Sequence, residues 1–271
     1  MKRILFDRSI FHGDKFKQIR QSDLLNIVAS GKMQIYYTAG FIEETLRYIR
    51  HDKNDFACQW DYLRKLNHQH WFKNINEIII AECTKNTDVN YYLRSEEDIQ
   101  NSINCIQGLI TGQAPINVLE PAFAQTQVSR TRMVSFKEEI KIHREKKTYS
   151  FTEFNSFVED YTDVYCRNTL FPAVGISSDI LEQLKGSPEK FIFTNYFIRC
   201  VLLTFFLPVA DHNLGIHAND KSDAEQLVFL LWTDVLVTGD LRFMTKAFHF
   251  LNREGSKELW TLSDFLKQLE S

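Results

Sequence analysis

The sequence contains few of the residues that interrupt regular structure, with 10 glycines and 5 prolines among its 271 residues. All five prolines lie at position 115 or later, and no Pro-, Gly- or Ser-rich stretch marks a linker. This scarcity excludes a collagen-like or low-complexity chain and favours a folded protein in which helices dominate. The length suits one large domain or two domains of ordinary size.

Cysteine is also scarce, and the cysteines stand singly, without a CxxC pair or the Cys/His spacing of a zinc site. An odd, dispersed set is typical of core thiols in a reducing compartment and argues against a secreted, disulfide-bonded protein. Two closely spaced histidines, His68 and His70, would diverge on a helix, so they do not suggest a metal pair. The five cysteines, which we expect in the core, are Cys58, Cys83, Cys105, Cys166 and Cys200.

No sign of charge dominates the composition, since 32 Lys and Arg stand against 35 Asp and Glu, which gives a net charge of −3. This balance excludes a globally basic nucleic-acid-binding protein, although it leaves room for a local basic patch.

Long uninterrupted apolar runs are absent as well. The longest run, residues 191–210, contains Asn195, Arg199 and Pro208, whereas a membrane-spanning helix needs about 20 largely apolar residues. We therefore predict a buried core helix at this position. The apolar part of the amino terminus is too short for a signal peptide, so we expect a cytoplasmic protein without a membrane partner.

Four short apolar runs near the two ends of the chain predict β-strands: residues 3–7, 33–38, 234–240 and 258–262. Patterns of helical period lie between them, the first beginning near Ala39. Strands that alternate with helices are typical of parallel βαβ units. We therefore predict an α/β fold, with a small parallel sheet flanked by helices.

The middle of the chain is almost purely helical in its pattern, with helices predicted near residues 60–71, 99–109, 133–147 and 151–166. The run of three isoleucines at 78–80 fits either a short strand or a helix. We interpret residues 1–51 and 191–271 as one α/β domain, and residues 52–190 as a helical insertion packed against the edge that carries the site.

Acidic residues fall at the ends of the predicted strands. Asp7 closes the first strand, Asp240 closes the third, and Asp223 starts the helix that leads into the third. Because the carboxyl ends of parallel strands share one edge of the sheet, these carboxylates should converge there. Carboxylates gather around a cation, since their mutual repulsion and desolvation are costly. Oxygen ligands favour a hard divalent ion, Mg²⁺ or Mn²⁺.

Two adjacent glutamates, Glu43 and Glu44, lie early in the helix that follows the second strand. At about 100° per residue, the apolar face of this helix centres near Thr45 and Ile49. Glu44 then lies at the edge of that face, whereas Glu43 points towards solvent with Arg47 as its neighbour one turn on. We therefore predict that Glu44, rather than Glu43, joins the acidic set.

The order of these acids resembles that of the PIN-domain nuclease family. The resemblance rests on Asp7-Arg8-Ser9 after the first strand, an acid early in the second helix, and the stretch DAEQLVFLLWTDVLVTGDLRFM at residues 223–244. It covers about residues 1–50 and 205–265. Family members are often near half this length, so the helical middle has no counterpart in the family pattern.

The resemblance implies a Mg²⁺- or Mn²⁺-dependent nuclease that hydrolyses phosphodiester bonds, usually of RNA, with a metal-activated water. It also implies that Ser9 and Thr238 orient the carboxylates through hydrogen bonds. Asp234, at the start of the third strand, fits a supporting position at the site or a simple turn. The catalytic and metal-binding residues carried over by position are Asp7, Glu44, Asp223 and Asp240.

Structural explanations also exist for single acids. Ser222 and Glu225 form a capping-box pattern around Asp223, which the helix dipole favours at a helix start. Asp240 could cap the helix that follows it. Asp220, in the preceding loop, is expected in solvent. Asp7 is harder to explain structurally, because it ends a buried strand, and the common order of the three aspartates favours function.

A basic segment, residues 129–147, holds seven Lys and Arg against three Glu. Such a run is often only a solvated helix face, but a nuclease with an acidic centre needs cations elsewhere to hold the phosphate backbone. The candidate nucleic-acid-binding residues are Arg130, Arg132, Lys137, Lys141 and Arg144.

The expected partner is RNA, ahead of DNA, and a protein inhibitor or a second copy of the chain stays open. Two other functions remain alternatives: a structure-specific DNA nuclease, and an inactive PIN-like fold that serves as an interaction module.

Overall fold

The fold is seen in a computed structural model of the chain. The structure describes the chain except residues 68, 86–91, 121–122, 125–126, 128–130, 132–133, 136, 139–146, 212–213, 215–216, 218–219, 253 and 271, and the side chains at 85, 118 and 221.

A four-stranded parallel sheet lies at the centre of the fold and confirms the predicted α/β class. Its strands are β1 (Lys2–Phe6), β2 (Met33–Tyr36), β3 (Val235–Val237) and β4 (Glu258–Trp260). They are arranged in the order β2-β1-β3-β4, and every neighbouring pair is parallel. The carboxyl ends of all four strands therefore lie at one edge of the sheet.

The amino-terminal helices are α1 (Gly13–Gln21), α2 (Leu24–Ala29) and α3 (Ala39–Arg47). The start of α3 is confirmed at Ala39, because the Thr38 hydroxyl accepts a hydrogen bond from the Phe41 amide, 3.0 Å away. A short 3₁₀ turn, Arg8–Ile10, joins β1 to α1.

The middle of the chain is helical, and no strand occurs among the described residues between β2 and β3. Residues 78–80, left open by the sequence, are helical. The predicted helix over residues 60–71 ends earlier, at Leu66, because the Asn67 side chain accepts hydrogen bonds from the amides of Gln69 and His70 and turns the chain. The helix predicted at 133–147 lies largely outside the described residues. The helices are α4 (Lys53–Leu66), α5 (Ile75–Lys85), α6 (Glu96–Thr111), α7 (Phe151–Tyr165), α8 (Phe171–Val174) and α9 (Ile180–Gly186).

The carboxyl-terminal helices are α10 (Ile192–Ala210), α11 (Asp220–Leu227), α12 (Met244–Leu251) and α13 (Leu262–Leu269). By length and composition alone, α10 is apolar enough to cross a membrane, yet most of it is buried inside the structure. The predicted core helix is thus observed as a buried helix.

Two hydrophobic cores form on the opposite faces of the sheet, as the alternation along β1 requires. Leu5 belongs to the core built around α10, whereas Ile4 and Phe6 belong to the other core. The middle of the chain contributes to both, since α5 and α7 belong to the core that contains Leu5, and α4 and α6 belong to the core that contains Phe6. The division into a domain and an insertion stays a prediction.

The cysteines do not all lie in the core. Cys166 and Cys200 are buried as predicted, but Cys58 and Cys105 are exposed, which corrects the sequence interpretation. Both exposed residues lie on the outer faces of amphipathic helices, where the apolar face is filled by larger side chains such as Trp60 and Ile106.

Candidate functional site

Asp7 continues β1 at the carboxyl edge of the sheet, where its amide donates to the Val237 carbonyl at 2.9 Å. Its side chain is buried. Oδ2 accepts hydrogen bonds from the hydroxyls of Ser9 and Thr238, the latter at 2.8 Å. Among the described residues, Oδ1 receives only a long contact from the Gln226 amide nitrogen, at 3.4 Å. One oxygen of Asp7 is therefore held by two donors, while the other has a weak partner.

The two hydroxyls that hold Asp7 are themselves fixed by the loop after β3. Ser9 Oγ accepts from the Gly239 amide at 2.8 Å, and Thr238 Oγ1 accepts from the Asp240 amide at 3.0 Å. A hydroxyl has one proton to donate, so each proton is directed to Asp7 once the amides occupy the acceptor positions. This arrangement matches the orienting role predicted for Ser9 and Thr238, and the role itself stays a prediction.

Asp240 is brought beside Asp7 by the same loop. Its Oδ1 accepts a hydrogen bond from the Arg242 amide at 2.9 Å. The next helix, α12, begins only at Met244, so Asp240 stabilises the turn before the helix and does not cap the helix itself.

Asp223 lies on α11 with only 7% of its surface exposed. Its Oδ2 is buried and has no hydrogen-bond partner among the described residues. Burial, followed by the charges of Asp7, Asp240, Glu44 and Asp220, raises the pKa of Asp223 to about 8. Asp223 is thus within electrostatic range of the three other acids predicted for the site.

Glu44 reaches this group from α3, which contacts both α11 and the 3₁₀ turn after Asp7. Its side chain is half-buried, whereas Glu43 is exposed and lines a cavity of about 580 Å³ beside α6. The helix phase predicted from the sequence therefore agrees with the structure. We call Asp7, Glu44, Asp223 and Asp240 the carboxylate cluster.

The carboxylate cluster is open rather than drawn together. Among the described residues, no three His, Cys, Asp or Glu side chains are close enough to hold a metal ion as they stand. The donor set is nevertheless made of carboxylate oxygens alone, which suits Mg²⁺ or Mn²⁺ and does not suit a soft metal. The unpartnered Oδ2 of Asp223 is a free ligand atom, so the residues present fit a hard divalent cation.

Arg8 is a buried cation beside the carboxylate cluster. The guanidinium donates to the Phe11 carbonyl and to Gln59 Oε1, both at 2.6 Å, and lies 5.0 Å from the Tyr48 ring centre. Burial lowers the pKa of Arg8 to about 10, although the charges of Tyr48 and Glu44 act to raise it.

Asp234 does not belong to the site, which corrects one prediction. It precedes β3 and so lies at the amino edge of the sheet, opposite the carboxylate cluster. Its carboxylate accepts two hydrogen bonds from the Arg3 guanidinium, the shorter at 2.7 Å, and one from the Arg3 amide. The hydrogen bonds from Arg3 lower the pKa of Asp234, as expected for a structural ion pair.

Asp220 and Lys137 also differ from their predicted places. Asp220 was expected in solvent, but only 1% of its surface is exposed. Its carboxylate accepts hydrogen bonds from Lys137 Nζ, at 3.1 Å, and from the Arg242 guanidinium. Lys137 has no exposed side-chain surface, so it cannot contact a phosphate from this position. Lys137 is therefore withdrawn from the nucleic-acid-binding set. Arg130, Arg132, Lys141 and Arg144 lie outside the described residues.

Two residues at the site were missed by the sequence interpretation. Gln226 is one turn beyond Asp223, and its buried Oε1 has no hydrogen-bond partner among the described residues. At Gly239, an added Cβ would lie 2.6 Å from Lys15 Nζ and 3.0 Å from Ser9 Oγ. The position of this glycine between Thr238 and Asp240 was a usable signal, because a side chain there would obstruct the loop that holds Asp7.

Comparison with known proteins gives no assignment: no protein-family model, curated protein or solved structure matches the chain. The resemblance to the PIN-domain family therefore stays a prediction, and the functional argument depends on the site itself.

Proposed function

We propose that the protein is a divalent-metal-dependent nuclease that hydrolyses phosphodiester bonds of RNA. The observation that carries the proposal is the carboxylate cluster at the carboxyl edge of the sheet, in which Asp223 is buried with one oxygen unpartnered among the described residues. Four segments of the chain supply one acid each: the end of β1, α3, α11 and the loop after β3.

The electrostatics of this cluster favour a bound cation. A buried carboxylate with three acidic neighbours is costly to ionise, which is reflected in the raised pKa of Asp223. A divalent ion offsets both the lost hydration and the mutual repulsion, and oxygen donors select Mg²⁺ or Mn²⁺. The ligands would be Asp7, Glu44, Asp223 and Asp240.

The chain's own contribution to the reaction is orientation. Ser9 and Thr238 fix Oδ2 of Asp7, and Oδ1 keeps only the long contact from Gln226 among the described residues, so it can turn to a ligand. The same hydroxyls hold the amides of Gly239 and Asp240, so Asp7 and Asp240 are positioned together. When bound, a divalent cation would supply Lewis-acid activation of a water molecule for hydrolysis, and these residues would hold it in place.

The choice of RNA comes from the resemblance to PIN-domain nucleases and not from the geometry, so the test has to include DNA. The purified protein is incubated with end-labelled single- and double-stranded RNA and DNA in Mg²⁺, in Mn²⁺ and in EDTA. We expect RNA to be cut only with metal, with 5′-phosphate and 3′-hydroxyl ends.

Matched variants make the experiment specific to the site. Asp7→Asn should abolish cleavage, whereas Asp234→Asn makes the same change at the opposite edge of the sheet and should retain it. Cleavage of DNA alone would identify the DNA nuclease instead. No cleavage of any strand, together with no shift in melting temperature on adding Mn²⁺, would favour the interaction module.

A further inference from the structure

Lys15 lies in the first turn of α1, and its ammonium group lies against the backbone of Gly239. If Gly239 carried a Cβ atom, that atom would lie 2.6 Å from Lys15 Nζ. Gly239 stands between Thr238, which donates to Asp7, and Asp240. The amine therefore lies beside the loop that connects Asp7 to Asp240.

Lys15 and Asp7 share a neighbour in His12, which lies between the end of β1 and α1. The charges of both residues act on this half-buried imidazole, so both lie near it. Burial, then the Arg8 charge, lowers the pKa of His12 to about 4, so this ring is neutral at physiological pH and does not compete for an anion.

Lys15 differs from the other cations around the carboxylate cluster because its ammonium group has neither a hydrogen-bond nor an ion-pair partner among the described residues. Arg8 donates to Phe11 and Gln59, and both Lys137 and Arg242 bind Asp220. Lys15 is exposed, and none of the ion pairs in the described part of the chain includes it.

An exposed ammonium that stays unpaired beside carboxylates keeps its three N–H donors for an anion from outside. A nuclease needs such a group, because the carboxylates that bind the metal repel the phosphates of an approaching strand. We propose that Lys15 binds a phosphate of the substrate strand beside the carboxylate cluster, at the loop that contains Gly239. This inference rests on the proposed nuclease function and assigns the contact that holds the strand there.

The chain offers a matched control on the same helix. Lys17 is two residues from Lys15 and carries the same charge, but it is paired with Asp14 at 2.8 Å. Lys15→Ala and Lys17→Ala therefore remove equal charge from α1, and Lys15→Arg restores a cation at the first position.

Two measurements test the assignment. Cleavage kinetics are recorded for each variant, and binding of a fluorescent single-stranded oligonucleotide is titrated in the Asp240→Asn background with Mg²⁺ at several salt concentrations. Lys15→Ala should raise KM and weaken binding by about five- to tenfold, and it should reduce the slope of log K against log salt by about 0.7. Lys17→Ala should change neither quantity, and Lys15→Arg should recover most of the affinity.

The outcomes separate this inference from the proposed function. If the wild-type protein cleaves but Lys15→Ala and Lys17→Ala behave alike, the Lys15 contact is wrong and the nuclease stands. A change in the Mn²⁺ concentration for half-maximal activity, with strand binding unaltered, would also overturn it, because Lys15 would then act on the metal site. If the wild-type protein neither binds nor cleaves any strand, both proposals fail together.

Discussion

At the scale of single residues, Asp223 combines burial with close acidic neighbours. Its pKa rises from 3.8 to about 8 because burial and neighbouring acids disfavour the charged form. In the unfolded chain this group ionises near pH 4, whereas in the metal-free folded protein it keeps its proton to about pH 8. Raising the pH through this window therefore stabilises the unfolded state relative to the folded state.

This linkage predicts how Asp223→Asn changes stability in EDTA. The side chain of the variant cannot ionise, so the variant avoids the loss of stability that the wild type shows as the pH rises. The difference in free energy of unfolding, variant minus wild type, should increase by up to about 1.4 kcal/mol per pH unit between about pH 4 and pH 8. Chemical denaturation of both proteins at pH 5 and pH 7.5 measures the difference. An equal offset at the two pH values would show that Asp223 is already ionised in the folded protein.

Glu43 and Glu44 provide the second prediction at this scale. Glu44→Gln should lower kcat/KM at least about tenfold, a loss of ~1.4 kcal/mol in transition-state stabilisation, because Glu44 is within electrostatic range of Asp223. Glu43→Gln should stay within about twofold, since Glu43 is exposed beside the cavity next to α6. The measurement is steady-state cleavage in Mn²⁺. Equal losses in the two variants would contradict the assignment of Glu44.

At the scale of elements, the loop after β3 links Asp240 to Asp7. Thr238 is fully buried, and its hydroxyl joins the Asp240 amide to the Asp7 carboxylate. If valine replaces Thr238, the Asp240 amide loses its acceptor and Oδ2 of Asp7 loses one of its donors, while the shape of the side chain is kept.

Thr238→Val should therefore reduce cleavage by about 10- to 100-fold and destabilise the fold by about 1–3 kcal/mol. Thr233→Val is the control, because Thr233 is equally buried but its hydroxyl donates only to the Phe229 carbonyl, away from the site. Activity assays and denaturant titrations of both variants separate the two effects. If the control loses as much activity as Thr238→Val, the loss reflects general damage to the strand.

The elements also show what the sequence could reveal about the site. Asp7 and Asp240 follow buried strands, and the parallel arrangement then places them at one edge by a local rule. The same rule was available for Asp234, which opens its strand and so had to lie at the opposite edge. The phase of α3 similarly distinguished Glu44 from Glu43.

Other features could not be read from the sequence, because they depend on partners far along the chain. Asp220 is buried through its contact with Lys137, 83 residues earlier, and no local pattern encodes that distance. Charge composition suggested a solvated face around Lys137, whereas the ion pair with Asp220 permits its burial. Gln226 was missed because a single amide on a helix has no spacing to recognise.

At the scale of the whole molecule, β1 joins the two hydrophobic cores. Leu5 packs into the core around α10, and Phe6 packs into the opposite core, so neither core is complete without the same strand. Both residues have no exposed surface. The two cores should therefore unfold together and not one after the other.

Leu5→Ala and Phe6→Ala test this cooperativity. Each should cost about 2–5 kcal/mol, because each opens a cavity in a closely packed core. Tryptophan fluorescence and far-UV circular dichroism should still report a single, coincident transition in both variants. A second transition confined to one variant would show that the core it affects unfolds independently.

The carboxylate cluster is divided between two segments that lie far apart in the sequence, and this has a consequence for biosynthesis. Asp7 and Glu44 leave the ribosome first, whereas Asp223 and Asp240 follow only after the whole helical middle of the chain has been translated. Strand β1 can pair with β2 at once but must wait for β3, so its second edge stays unpaired and the hydroxyl of Thr238 is missing until residues 235–238 have been made. A nascent chain, or a product truncated before α11, would carry half of the acids and no site. If the protein cuts RNA, a nascent chain that has not yet reached α11 cannot cut the messenger that encodes it.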